Sequence, residues 1–377
     1  MKIFLLNKIV ASFAFFLFLT LATHAGAASA PLEKAQQEAA AKGYIFFTSH
    51  DEIVEKARKE GKLRLLSGLE DRTSKALVDA FRQKYPFISE IDASELDGVA
   101  AFQRFVLEMK AGQAKGWDVA HIPMDTAQEY PPYLKKYDIL GMAKHGVLKI
   151  DPRMIHPVER NMVSVTSNMS PVMSNKSLIS DENVPAKWEE FLKPEFKGRK
   201  FLMNLRPQHL AALVPAWGLE RTLDFARKIA AQQPAWGSGG TRLTTAVATG
   251  EHPLLCCVNF SSAKRNIEKD PRGTLSFKLV EPVPTRAVEH ARAVLDTADQ
   301  PHAALLWLEF LTSPEAQEII DKHEPFRASV WNSASAQAQA ARGKELSVIG
   351  WQHFDKFQQY EEKVVAAWGF PKANIKK

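Results

Sequence analysis

Cysteine is almost missing from this chain. The 377 residues contain two, Cys256 and Cys257, and these are adjacent. Neighbouring cysteines fit disulfide geometry poorly. Both lie in an apolar run, so they are expected to be buried small hydrophobes. A disulfide-stapled fold is thereby excluded. Short catalytic signatures are missing too: there is no H-E-x-x-H, G-x-S-x-G, C-x-x-C or Walker loop. The eleven histidines are scattered without metal-ligand spacing. His121 and His209 are read as structural, and neither a metal nor a cofactor is expected. Carboxylates are common, but no spacing singles out an acid–base pair. Charge of one sign is also lacking. The net charge of +6 is spread among mixed signs. That excludes a nucleic-acid footprint and hints weakly at anionic ligands.

Only the N-terminus carries a long apolar run. Met1 to Lys8 holds two lysines and no acid, and Ile9 to Ala22 is apolar apart from Ser12 and Thr20. Small residues follow, from Ala25 to Ala30. These are the three parts of a secretory signal peptide. The run is shorter than the ~20 residues a membrane-spanning helix needs. Cleavage is placed after Ala27, with Ala30 the alternative; Pro31 directly after a cut disfavours the second. No cysteine follows the apolar run, so a lipid anchor is not indicated. The two lysines before residue 28 leave the mature chain at +4. Its roughly 350 residues are enough for two lobes with separate cores.

Periodicity outlines an α/β protein. Residues 28–60 are expected to be helical in part. Lys62–Leu66 reads as a strand, and Leu77, Val78, Phe81 and Tyr85 mark one helix face that Pro86 ends. Phe102, Phe105, Val106 and Met109 mark a second helix before a strand at Asp118–Ile122. The style repeats with a strand at Arg199–Leu205, helices from His209 to Trp217 and from Glu220 to Ala231, and a glycine loop, Trp236–Arg242. That loop opens a short helix for which Gly250 supplies the C-terminal cap. Leu254–Val258 suits a strand buried on both faces, and Leu275–Val280 is extended. Ala304, Leu305, Leu308 and Leu311 form a helix face, and Ser313-Pro314 caps the next helix. Ser333–Ala341 reads as a surface helix or linker. Strands alternating with helices imply layers built on a largely parallel sheet.

In open α/β sheets, ligands bind beyond the carboxyl ends of the strands. Small polar residues cluster at those ends: Ser67 and Gly68, Arg206 and Gln208, Ser261 and Ser262. The glycine loop adds Ser238, Gly239 and Thr241 at a helix start, which favours an anion. Arg206 offers a planar fork to a carboxylate or phosphate. Trp236 either stacks on the solute or belongs to the core. This pattern suits capture of a small polar solute and provides no nucleophile activated by a base.

Several segments resemble one family. The stretch from Pro301 to Gln317, PHAALLWLEFLTSPEAQ, is similar to the late helical signature of bacterial ABC-transporter solute-binding proteins of family 1, the branch that includes ferric-iron binders. Leu63–Pro86 resembles the family's opening strand and helix. Gly116–Ala120 resembles its "DV" strand, and Ala248–Glu251 its "A-x-G-E" helix end. Val184–Gly198 resembles its "P-x-x-W-x-x-L" segment, with Phe191 in place of the leucine. The resemblance implies an α/β, two-lobed type II periplasmic-binding fold. Each lobe would be a mostly parallel sheet flanked by helices, with the ligand cleft between them. Lobe 1 would span 28–159 and 284–377, and lobe 2 would span 160–283. The implied function is the periplasmic component of an importer, a monomer that delivers solute to an inner-membrane permease.

The chain departs from the ferric-iron members at one place. They carry a tyrosine pair after the strand that here ends at Val258-Asn259. This chain has Phe260-Ser261-Ser262, and no tyrosine lies between Tyr137 and Tyr360. Serine hydroxyls are poor substitutes for phenolates, so the solute is expected to be organic and anionic. A ferric-iron or iron-chelate receptor is the alternative, a periplasmic enzyme on a related fold the second. A receptor feeding a sensor would use the same closed form. If the signal is cut as expected, intact-mass analysis of the exported protein will give a chain beginning at Ala28; a chain retaining Met1 overturns the assignment.

Overall fold

Among the described residues, twelve strands are interspersed with helices. They are β1 (Lys62–Ser67), β2 (Glu90–Glu95), β3 (Val119–Pro123), β4 (Asn168–Met169), β5 (Val172–Asn175) and β6 (Leu202–Asn204). Then come β7 (Ala235–Gly237), β8 (Leu254–Cys256), β9 (Leu275–Lys278), β10 (Val283–Arg286), β11 (His290–Val294) and β12 (Leu346–Ile349). This computed structural model describes residues 30–96 and 98–370. The signal peptide expected over residues 1–27 lies outside the described residues. Among those described, no helix is long and apolar enough to cross a membrane.

The strands form three sheets. The first has the order β11-β3-β1-β2, and the second β7-β6-β8-β5-β9. In the first, β1 runs parallel to both β2 and β3. In the second, β6 runs parallel to β7 and β8. The sheets are more mixed than a mostly parallel arrangement, because β11 and β5 run antiparallel to their neighbours. The reason is where these two strands come from. Each follows directly on a strand of the third sheet, ordered β12-β10-β4. They enter from the side where the parallel strands end, and so point the other way. This third sheet joins the two larger ones: the chain leaves through β4 and returns through β10.

The first core gathers β1, the helix Asp71–Lys84 and the helix Pro301–Thr312. Leu63 and Leu65 from β1 meet Leu77 and Phe81, with every one of them buried. Helix His50–Glu60 packs across Pro301–Thr312. Its C-cap, Gly61, sits at φ +69°, where a side chain would be strained. The helix Pro301–Thr312 is buried on all sides from Ala303 onward, beyond the single apolar face read from its spacing. Even Glu309 is inside, held by His50 Nε2 at 2.7 Å and by the Lys149 N–H at 2.7 Å. Ser313 caps the following helix by accepting the Ala316 N–H at 3.3 Å, with Pro314 at its first turn.

The second core surrounds β6 and β8 with Trp188, Phe191, Phe201 and Phe225. Trp188 satisfies its indole N–H on the Pro282 carbonyl at 2.9 Å. Two expectations need correction. The helix Phe357–Trp368 packs on the helix Leu219–Ala231, so its apolar side chains Phe357, Val364 and Trp368 join the second core. The C-terminal helices are therefore divided between the two bodies. Residues 333–341 are also no plain surface linker. Gln337 is fully buried, and its amide donates to the Ser167 and Ala328 carbonyls at 2.8 and 3.0 Å. That ties the short helix Ala336–Ala340 to the segment leading into β4.

The cysteines lie at the end of β8, both buried and reduced, with Sγ atoms 3.0 Å apart. Truncating the heart of the first core should be costly. Leu305→Ala is expected to lower unfolding free energy by about 2–5 kcal/mol in urea titration, whereas a loss below about 1 kcal/mol would show that the site collapses around the smaller residue.

Candidate functional site

The carboxyl ends of β3, β6, β8 and β10 meet at a cavity of about 680 Å³. This is the size range of small-molecule sites, roughly 300–1,000 Å³. One stretch of its wall is apolar at Phe102, Pro123, Met124 and Phe357, with Gln103, Thr126, Gln358 and Glu361 beside them. Another is polar: Arg206 and Gln208 after β6, Asn259 after β8, Arg286 at the end of β10, Glu289, and His290 at the start of β11.

The polar wall is an ion cluster. Arg286 Nη2 donates to Glu289 Oε1 at 3.4 Å and to Asn259 Oδ1 at 3.5 Å. Arg327 Nε lies 3.9 Å from Glu289 Oε2, and Arg327 Nη1 lies 3.3 Å from Glu324 Oε2. Asn168 Nδ2 adds a donor to Glu289 Oε1 at 3.4 Å. Burial pushes the Glu289 carboxyl upward, but Arg327 and Arg286 outweigh it and hold it below the usual range. Arg292 lies deeper, 3 % exposed, and burial together with Arg327 lowers it to about 10. It therefore stays charged at neutral pH. Several polar atoms here have no hydrogen-bond partner among the described residues: Arg286 Nε, Glu289 Oε2, His290 Nδ1 and Arg292 Nη1. Buried polar atoms are rarely left so.

Behind Arg206 lies a second network. Asn204 Oδ1 accepts the Arg206 N–H at 3.1 Å, and Asn204 Nδ2 donates to the Cys257 carbonyl at 3.2 Å. These partners fix the amide's orientation. The same Nδ2 meets His209 Nε2 at 3.4 Å, so Nε2 accepts and the imidazole proton sits on Nδ1. That proton is donated to Ser170 Oγ at 2.8 Å. The Ser170–His209 pair therefore holds the histidine as donor to the serine, the reverse of a base that activates a nucleophile.

The sequence-derived candidates are dispersed. Arg206 and Gln208 line the cavity. Ser261 and Ser262 occupy the first turn of the helix Phe260–Glu268, beside Asn259; Ser261 is buried, and the Ser262 carbonyl accepts from Asn266. Ser67 is buried with its hydroxyl 2.7 Å from Ser74 Oγ, and it accepts the Leu69 N–H. Gly68 matters by having no side chain, since a Cβ would lie 2.1 Å from His121 Nε2. Its carbonyl accepts from Arg327 at 3.5 Å. Trp236 is not brought to the cavity. It packs on Trp368 and Phe370, with centroids 5.0 and 4.8 Å away, at the outer edge of the second sheet. Ser238, Gly239 and Thr241 are exposed at the start of the neighbouring helix and do not line the cavity either.

What sequence reading passed over is the run 285–292. Arg286, Glu289, His290 and Arg292 interrupt an otherwise apolar stretch that runs from β10 into β11. Charges inside an apolar run signal buried ions, and that signal was available.

Contacts also cross the cleft. Arg265 Nη1 pairs with Glu70 Oε1 at 2.6 Å. Phe260 stacks on Phe326 with centroids 4.0 Å apart and planes at 27°.

A profile of bacterial extracellular solute-binding proteins matches residues 149–356. Among curated proteins none matches significantly in sequence. Solved structures do match. The apo ferric ion-binding protein A of Pasteurella haemolytica is 13% identical, with a TM-score of 0.62 over 83% of this chain and 99% of that one. The FutA protein of Trichodesmium, with iron and citrate bound, is 18% identical, with a TM-score of 0.62 over 82% and 98%. An ABC-transporter substrate-binding protein of Agrobacterium tumefaciens is 16% identical, with a TM-score of 0.58 over 81% and 95%. At these identities the likeness establishes the fold: sheets flanked by helices in the two-lobed arrangement of periplasmic binding proteins.

Three buried histidines make stability pH-dependent. Burial, with Arg286 and Arg206 adding, lowers His209 to about 3. Burial lowers His290 to about 4, and His121 also falls well below its ordinary value of 6.5. Folded values below the unfolded one mean stability is complete above pH ~6.5 and is lost as pH falls through the folded values. Unfolding free energy should fall between about pH 6.5 and 4 by up to about 1.4 kcal/mol per pH unit for each histidine. His209→Gln should remove one histidine's share of that slope in denaturant titrations run across the window; an unchanged slope would place His209 among groups that titrate normally.

Proposed function

The chain belongs to the bacterial extracellular solute-binding proteins, and from that premise we propose that it is the periplasmic receptor of an ABC importer for a small organic anion. The observation that carries this reading is the cleft itself. Arg206, after β6, and Arg286, at the end of β10, line a single cavity, and Arg286 Nε has no hydrogen-bond partner among the described residues. Guanidinium groups match carboxylate and phosphate oxygens in a planar fork. A solute in the cleft would be held by both bodies, and closure about β4, β10 and β12 would present it to the permease. Hinge closure about a ligand is a common two-state device. The lobe boundaries at 160 and 283 belong to this reading, with the helix Phe357–Trp368 moving with the second lobe.

A second reading is capture of ferric iron or a ferric chelate. It draws support from the proteins of Pasteurella and Trichodesmium, whose structures are described as a ferric ion-binding protein and as an iron and citrate complex. The donors here suit it less well. Among the described residues no group of three His, Cys, Asp or Glu side chains could hold a metal ion. A chelate such as ferric citrate would still offer carboxylates to the arginines.

A thermal-shift screen separates these readings. A solute at ~100-fold its Kd should add ~2.7 kcal/mol of stability. The panel should hold carboxylates, phosphonates, sugar phosphates, ferric chloride and ferric citrate. Arg286→Ala is expected to weaken binding of the solute found by about thirtyfold or more, since losing one side of a buried charge contact costs ~2 kcal/mol upward. Stabilisation by ferric chloride alone, unaffected by Arg286→Ala, would decide for iron.

A further inference from the structure

The cleft's charges point further, to the kind of anion. We propose that the solute is an organic monoanion with an apolar body, and that Glu289 sets its charge. This rests on the receptor reading above and narrows it.

The first ground is electrostatic. Around the return crossing, three guanidinium groups face two carboxylates: Arg286, Arg292 and Arg327 against Glu289 and Glu324. All but Arg327 are buried or nearly so, and its side chain is only 22% exposed. At the mouth, Arg206 and Glu361 bring one charge of each sign. His290 lines the cavity with a bare Nδ1 and is uncharged at neutral pH, because burial and the arginines hold it at about 4. It contributes a hydrogen bond and no charge. The interior thus carries one positive charge in excess. Charge left uncompensated where water is excluded costs several kcal/mol. One negative charge on the solute cancels the excess. A neutral solute leaves it standing, and a dianion reverses it beside Glu289.

The second ground is shape and polarity. Phe102, Pro123, Met124 and Phe357 give the cavity an apolar stretch of wall. Phe102 is held against the His121 ring, with centroids 5.7 Å apart. A bare inorganic anion would leave that wall facing water. An aromatic or branched aliphatic body would cover it, and buried apolar surface contributes roughly 25 cal/mol per Å². Glu289 is the residue that decides the count. Without its carboxylate, Arg286 and Arg327 would have two charges to satisfy instead of one.

The test uses the whole mature protein and three probes at pH 8: acetate, phenylacetate and phenylphosphonate, the last carrying close to two charges. Titration calorimetry should give phenylacetate the tightest binding, by about tenfold or more over each of the others, equal to ~1.4 kcal/mol. Glu289→Gln should invert the order of phenylacetate and phenylphosphonate, while Glu289→Asp should keep it. Melting without ligand verifies that each variant is folded, and the wild-type order stands as a test whether or not they are. Preference of the wild type for phenylphosphonate overturns the inference and leaves the anion receptor intact. Acetate binding as tightly as phenylacetate does the same, as does an unchanged order in folded Glu289→Gln. If no anion in this panel or the wider screen binds, both readings fall together.

Discussion

Glu289 sits between two arginines, 3.4 Å from Arg286 and 3.9 Å from Arg327. Much of the molecule is organised around that carboxylate. Arg286 ends β10, the strand on which the chain returns from the second sheet. Arg327 follows the helix Pro314–His323, the last helix of the first body before the short one at 336–340. Asn168, in β4, donates to the same carboxylate. One side chain therefore joins the outgoing crossing, the return crossing and the late helices. Removing Glu289 would strand its arginines' charge in the interior, which is the expensive way to break an ion pair, at ~3–5 kcal/mol. The cluster is demanding to maintain, and it stands where a solute's charge would arrive.

The contacts that bridge the cleft are of another kind. Arg265 and Glu70 are 41% and 56% exposed, so their pair adds only ~0–1 kcal/mol. The Phe260–Phe326 stack adds ~0.5–1.5 kcal/mol beyond its burial. Against these, the hinge is a continuous three-stranded sheet, with β10 paired to β12 over four residues and to β4 over two. Weak bridging contacts beside a hydrogen-bonded crossing fit the closure proposed above. Such an energy distribution is what capture and release of a solute require.

Much of the architecture was legible along the chain. Pro86 and Ser313-Pro314 mark helix ends through local backbone chemistry, and the structure keeps each where that chemistry puts it. Leu63, Leu77 and Phe81 reveal their burial through spacing. The site was less legible. A serine, a glycine or an arginine after a strand looks alike in every loop, and Arg206 and Trp236 both stood as candidates. One faces the cavity, and the other packs on Trp368 at the far edge of its sheet. The difference comes from strand order: β7 is an edge strand, and β6 lies one place inward.

Local pattern carried the strands near 62–66, 118–122 and 254–258, several of the helices and the family to which the chain belongs, because helix caps, hydrophobic periods and turn residues act over a few neighbours. Tertiary structure alone decided which polar residues share a cavity. Arg206, Asn259, Arg286 and Glu289 come from different strand ends, and they meet only because two sheets and their hinge fold the chain back on itself. It also decided the direction of β5 and β11, and it set the helix Phe357–Trp368 on the second body. These outcomes rest on long-range packing, in which an apolar face takes whichever partner completes a core, and no local pattern names that partner in advance.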